Sequence, residues 1–60
     1  MRRYITVTSG LRGYFAVLVE EDSTGFTEPI QSSPLSFDTL EEAKEDAKVW
    51  ASSEELEYRD

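Results

Sequence analysis

Tyr14-Phe15-Ala16-Val17-Leu18-Val19-Glu20-Glu21 is the stretch from which the fold is read, because both of its alternating faces are apolar until the closing glutamates. Phe15, Val17 and Val19 occupy one face and Tyr14, Ala16 and Leu18 the other, the pattern of a central strand. Toward the N-terminus, Ser9-Gly10-Leu11-Arg12-Gly13 supplies a turn whose two glycines tolerate positive φ. Before it, Arg3 to Thr8 alternates as a half-buried strand does, with Ile5 and Val7 on one face and Tyr4, Thr6 and Thr8 on the other. Toward the C-terminus, Asp22-Ser23-Thr24-Gly25 is a hairpin-closing cluster. Phe26 to Gln31 then resumes alternation as a third strand, with Phe26 and Ile30 on one side. Pro29 has no N–H to give to a ladder, so this strand is expected at a sheet edge, with position 29 turned outward or bulged. Gln31 to Ser36, containing Pro34, reads as a loop.

A helix follows. Asp38-x-x-Glu41 and Thr39-x-x-Glu42 are overlapping capping boxes behind Phe37, so either Asp38 or Thr39 caps the first free amides. Leu40, Ala43, Ala47, Trp50 and Ala51 fall on one arc of the helical wheel, and the alanines allow close approach to a sheet. Glu41, Glu42, Glu45 and Asp46 lie opposite or on the flanks, with Val49. Beyond Ser52-Ser53, the alternation of Leu56 and Tyr58 suits a short strand or extended segment, a helical tail being the alternative. The expected architecture is α+β: a three-stranded antiparallel meander with one helix packed on one face, β-β-β-α, and a possible short C-terminal strand, in one domain over residues 1–60. The expected core is Ile5, Val7, Phe15, Val17, Val19, Phe26, Ile30, Leu40, Ala43, Ala47 and Trp50. The other sheet face, with Tyr4, Thr6, Tyr14, Ala16 and Leu18, has no second helix to cover it, unless Leu56 and Tyr58 of the tail reach it.

Composition narrows the chemistry. Sixty residues bury only about 60% of the surface of the unfolded chain. With no His and no Cys, the usual ligands and groups of zinc, iron–sulfur, haem, thiol and imidazole chemistry are missing. Only carboxylates, Lys and Tyr remain for acid–base work, and most sit at expected surface positions, so no enzyme activity and no cofactor or metal is expected. Glu20, Glu21 and Glu28 do not match the spacing of a calcium loop. No apolar run approaches the ~20 residues of a membrane span, no signal-peptide core is present and no disulfide is available, which predicts a cytoplasmic protein without membrane contact.

Thirteen acids against six bases give a net charge of −7, unevenly placed. Positions 1–19 hold Arg2, Arg3 and Arg12 and no acid, while positions 20–60 hold all thirteen acids with Lys44, Lys48 and Arg59. Direct binding of nucleic acid is disfavoured, since phosphate contacts need a basic surface. On the helix, Glu41 with Glu45 and Glu42 with Asp46 form like-charged pairs four apart. Two readings of this row stand: a solvated face that maintains solubility, or a set of carboxylates that competes with backbone phosphates for a basic groove. Tyr4, Tyr14, Ala16 and Leu18 on the uncovered sheet face would add an apolar, aromatic contact surface.

Two resemblances accompany these residues. Gly13-Tyr14-Phe15-Ala16-Val17, leading through a hairpin to Asp38-Thr39-Leu40-Glu41-Glu42-Ala43, resembles the N-terminal domain of HicB-like antitoxins, over residues 4–51. That likeness implies a domain that binds and silences a small ribonuclease toxin. The order Tyr14-Phe15-Ala16, Pro29-Ile30, Thr39 to Ala43, Trp50 and Leu56-Glu57-Tyr58 resembles small phage inhibitors of bacterial RNA polymerase. There the contacts use acidic residues and arginines of the last strand, and Arg59 stands near the matching place. Both imply a non-catalytic module that occludes the working surface of a nucleic-acid enzyme. The expected partner is therefore a protein with a basic surface, met through Tyr4, Tyr14, Leu18, Glu41, Glu42, Glu45, Asp46 and Arg59; the alternative is self-association into a homodimer through the sheet face or an edge strand.

Overall fold

The computed structural model describes all residues, 1–60, as a four-stranded mixed sheet with one helix on one face, an α+β fold. The elements are β1 (Arg2–Gly10), β2 (Gly13–Glu21), β3 (Thr27–Ser32), α1 (Leu40–Ser53) and β4 (Glu57–Tyr58), and the strand order is β3-β2-β1-β4. β1, β2 and β3 form the antiparallel meander, and β4 pairs in parallel with β1 at the far edge.

The hairpin between β1 and β2 has only Leu11 and Arg12 in its turn, with Gly10 opposite Gly13. A two-residue turn pairs each odd position of β1 with an even position of β2. Ile5 therefore faces Leu18 and Val7 faces Ala16, and directly opposed residues share a sheet face. This corrects the face assignment expected from alternation alone. Ala16 and Leu18 lie beneath the helix with Ile5, Ala47 and Ala51, and Val7, Trp50, Leu56 and Tyr58 pack around them. Tyr14 shares that face, joined to Phe37 by a pair of backbone hydrogen bonds, Tyr14 N–H to Phe37 O at 2.9 Å and Phe37 N–H to Tyr14 O at 2.8 Å. Phe15, Val17 and Val19 turn to the opposite, open face with Tyr4, Thr6 and Thr8. Val17 and Val19 are nevertheless only 5% and 7% exposed, because β2 has a strand on each side.

Phe26, Ile30 and Leu40 are exposed rather than core residues. Their placement follows from the position of the helix, which packs on β1, β2 and β4 and leaves β3 uncovered. Pro29 behaves as its chemistry demands: β3 is an edge strand, and the ladder shifts register opposite Leu18 and Val19, leaving Ile30 between paired Pro29 and Gln31.

Thr39 is the residue that caps α1. Its Oγ1 accepts from the Glu42 N–H at 3.3 Å and donates to Glu42 Oε1 at 3.0 Å. At the other end, the Glu55 N–H reaches Ser52 O at 3.3 Å and the Leu56 N–H reaches Ala51 O at 2.8 Å, with Glu55 at φ 56°. These two bonds are a Schellman motif, with Glu55 in the left-handed position that glycine usually fills. The motif reverses the chain so that Leu56 and Tyr58 enter the core beside Ala51, on the helix side. The tail thus does not cover the open face through these two residues.

Candidate partner interface

Charge sorting organises the surface. Arg2 pairs with Glu57 at 3.2 Å, Arg3 with Glu20 at 3.1 Å, and Lys44 with Asp60 at 3.8 Å. Arg59 pairs with Glu57 at 2.7 Å and Glu21 at 3.8 Å. Four of the six basic side chains are thereby occupied by four acids, and nine acids remain against Arg12 and Lys48 alone. Glu20, Glu21 and Glu28 do not converge on a common point: Glu20 and Glu21 each have their own arginine, and Glu28 lies across from Glu20 on β3.

The helix carries four of these nine, and Asp38, Glu54 and Glu55 flank it. Glu41, Glu42 and Glu45 are exposed, while Asp46 is half-buried and its Oδ2 accepts from the Ser33 hydroxyl at 3.3 Å. Asp46 and Trp50, one turn apart, line a cleft of about 220 Å³ with Gln31, Ser32, Ser33 and Pro34, between the helix and the end of β3. A second, more open cleft of about 350 Å³ at the β1–β2 turn is lined by Gly10, Leu11, Arg12, Phe15 and three serines. The first holds one carboxylate and the second one guanidinium, so neither brings an acid and a base together.

On the open face, the side chains near β4 form one connected group. The Arg59 guanidinium lies 4.1 Å from the centre of the Tyr4 ring, with Glu21 and Glu57 beside it. The hydrogen bond to Glu57 and its charge raise the Arg59 pKa further, and Arg59 and then Arg2 hold the Glu57 carboxyl below the usual carboxylate range. At the other end of the face, the Phe15 ring lies over Gly10, where an added Cβ would sit 2.9 Å from Phe15 Cε1. Both aromatic rings of this face are therefore partly covered from within the molecule. Around β4 on the helix side, Tyr58 donates to Asp60 at 2.9 Å and lies 5.8 Å from the Lys48 ammonium. Burial, then Asp60 and Glu41, push the Tyr58 hydroxyl up to about 12.

Of the residues expected to meet a partner, the structure joins Glu41, Glu42, Glu45 and Asp46 on the helix, and separately joins Tyr4 and Arg59 on the open sheet face. Leu18, 6% exposed, is buried under the helix, and Tyr14 lies on the same side, so the aromatic contact surface expected around Tyr4 is not built from them. The group of Tyr4, Glu21, Glu57 and Arg59 has no signature in the sequence, because parallel docking of β4 on β1 is what brings positions 4 and 57 together. No family model, curated protein or solved structure matches this chain.

Proposed function

We propose that this protein is a non-catalytic binding module whose helical layer covers a basic surface on a nucleic-acid-processing enzyme, as the two resemblances imply. The observation that carries this reading is the sorting of charge. Ion pairs absorb Arg2, Arg3, Lys44 and Arg59, and the excess acids that remain include Glu41, Glu42 and Glu45, exposed on consecutive turns of one helix. Such a row attracts a basic groove over about 10 Å at 0.1 M salt, a range that shrinks to about 3 Å at 1 M. The surface is rigidly held, because the helix is anchored by Ala43, Ala47 and Ala51 against β1 and β2.

The test uses the tagged full chain as bait in an extract of its source cells, followed by reconstitution with the purified enzyme it captures. Binding should be displaced by nucleic acid, and should weaken about threefold to a hundredfold in a Glu41→Lys, Glu42→Lys, Glu45→Lys variant, as each exposed pair lost contributes about 0.2–1 kcal/mol. An affinity unchanged by salt, by nucleic acid or by the triple reversal would overturn the reading.

A further inference from the structure

Glu20, Glu21, Asp22 and Asp46 are the half-buried acids of the chain, and the first three are answered within the molecule. Glu20 pairs with Arg3 and Glu21 with Arg59, while Asp22 accepts hydrogen bonds from Thr24 and Phe26 in its own turn. Asp46 differs. Its one partner is the Ser33 hydroxyl at 3.3 Å, a neutral donor at a distance longer than an ordinary O–H···O bond, and it forms no ion pair. A carboxylate drawn partly out of water is best held by a charged donor, and the chain supplies none here. Asp46 lines the cleft of about 220 Å³ between α1 and the end of β3, and Trp50, the single tryptophan, lines it one turn further on. The indole N–H donates to Glu54 Oε2 at 2.5 Å, so the ring offers the cleft π-surface but no donor. The facing wall is fixed by the Ser33 N–H on Ala16 O at 2.9 Å and the Leu35 N–H on Ser33 Oγ at 3.2 Å. Arg12 lines the neighbouring cleft, which shares Ser32 and Ser33, but not this one.

We propose that this cleft receives the guanidinium of an arginine side chain from the basic partner, with Asp46 as its counter-ion and the Trp50 ring as the surface it stacks on. The proposal rests on the helix-layer reading and sharpens it: Glu41, Glu42 and Glu45 supply long-range attraction, and the cleft supplies the short-range anchor. Charge selects a cation. Glu42, Asp46, Trp50 and Glu54 follow one another at intervals of one turn, a stripe with carboxylates and no base. Size selects a side chain, because pockets for whole drug-sized molecules start at about 300 Å³. Shape selects arginine over lysine. A planar guanidinium stacks on an indole and forks onto a carboxylate at the same time, whereas an ammonium is a strongly hydrated point charge. Gln31 and Ser32, also in the lining, carry oxygen acceptors for the remaining N–H groups. Arginine seated in a pocket is, with tryptophan and tyrosine, the usual anchor of a protein interface.

An NMR titration of the isotope-labelled full chain with an end-blocked Gly-Arg-Gly peptide tests this, read at the single indole N–H and at the Ser33 and Asp46 amides. Matched peptides with lysine, or with uncharged citrulline, in place of arginine are the comparisons. The expected result is saturable binding with Kd of about 1 mM, centred on the Trp50 indole. The lysine peptide binds about threefold or more weakly, and the citrulline peptide does not saturate at about 20 mM. Asp46→Asn keeps the side-chain shape and an acceptor for Ser33, and weakens the arginine peptide about tenfold or more with unchanged circular dichroism. An indole resonance that does not move up to about 20 mM arginine peptide overturns the proposal, as does equal binding of the lysine peptide or of Asp46→Asn. Shifts confined to Glu41, Glu42 and Glu45 overturn the cleft while leaving the helix row standing. In the Glu41→Lys, Glu42→Lys, Glu45→Lys variant the peptide still moves the indole resonance; if it does so while the captured enzyme's affinity is indifferent to that variant, the row fails and the cleft stands.

Discussion

Replacing Gly13 by Ala tests the joint between the sheet and the segment that leads into the helix. Gly13 has φ +116°, and a Cβ there would overlap the Phe37 carbonyl oxygen and lie 3.2 Å from its carbon. That oxygen accepts the Tyr14 N–H at 2.9 Å, and the Phe37 N–H returns a bond to Tyr14 O at 2.8 Å. The strained φ costs about 1–3 kcal/mol for a residue with a Cβ. Prising Phe37 away removes two backbone hydrogen bonds at about 1 kcal/mol each. The total, about 3–5 kcal/mol, is most of the roughly 3–9 kcal/mol expected for a domain of this size. Gly25→Ala is the matched control: its φ is +90°, but nothing lies within 4 Å of the added Cβ, so only the conformational cost of about 1–2 kcal/mol applies. Urea titrations followed by Trp50 fluorescence and far-UV circular dichroism should separate the two variants by about 2 kcal/mol, or about 2 M in midpoint at an m-value near 1 kcal/mol/M. Coincident midpoints would refute the role of the Tyr14–Phe37 bridge as a steric joint.

Four further outcomes are expected. Thr39→Ala should cost about 1 kcal/mol in the same titration by removing the cap on the Glu42 amide; an equal loss in Asp38→Ala would mean that the cap is shared. Glu55→Gly should raise stability by about 0.5–1 kcal/mol, because Glu55 holds a left-handed φ of 56° in the Schellman motif. In acid, Asp22 and Glu57 are held below their ordinary values of 3.8 and 4.5, Asp22 chiefly by hydrogen bonds from Thr24 and Glu57 chiefly by Arg59. Their contribution is full above those values and is lost as pH falls through the depressed folded ones, so Asp22→Asn and Glu57→Gln should each flatten the acid limb of the midpoint-versus-pH curve. In base, the unfolded chain releases the Tyr58 proton near 10.0 and the folded one near 12, so stability falls as pH rises across that interval. Absorbance at the tyrosinate band should show a late step that Tyr58→Phe removes.

Local chemistry was legible along much of the chain. The turn within Ser9–Gly13, which the structure tightens to Leu11 and Arg12, the turn at Asp22–Gly25, the edge position of the Pro29 strand and the capped helix all appear where short-range signals stand. Asp22 shows why: its Oδ1 accepts from Thr24 N–H at 2.9 Å, Thr24 Oγ1 at 2.6 Å and Phe26 N–H at 3.1 Å, a self-contained turn that needs no distant partner. The row of Glu41, Glu42, Glu45 and Asp46 was equally readable, since helical spacing alone groups it. Phe26 and Ile30 were misplaced because alternation reports a face without reporting whether anything covers it. The helix, held toward β4 by Leu56 and Tyr58, does not extend over β3.

The sequence by itself determined that three strands and a capped helix follow one another, roughly where the turns between them fall, and how far acids outnumber bases, because each depends on neighbours within a few residues; the strand ends and the form of the tail were left open. Tertiary structure decided which face of Tyr14–Val19 the helix covers. Both faces are apolar, so hydrophobicity could not choose between them, and the two-residue turn that opposes Ile5 to Leu18 did. Tertiary structure also decided that β4 runs parallel to β1, setting Arg59 over Tyr4 between Glu21 and Glu57. Ion pairs between residues so distant along the chain form only after the chain has closed, and they are what leave one face neutral and the other acidic.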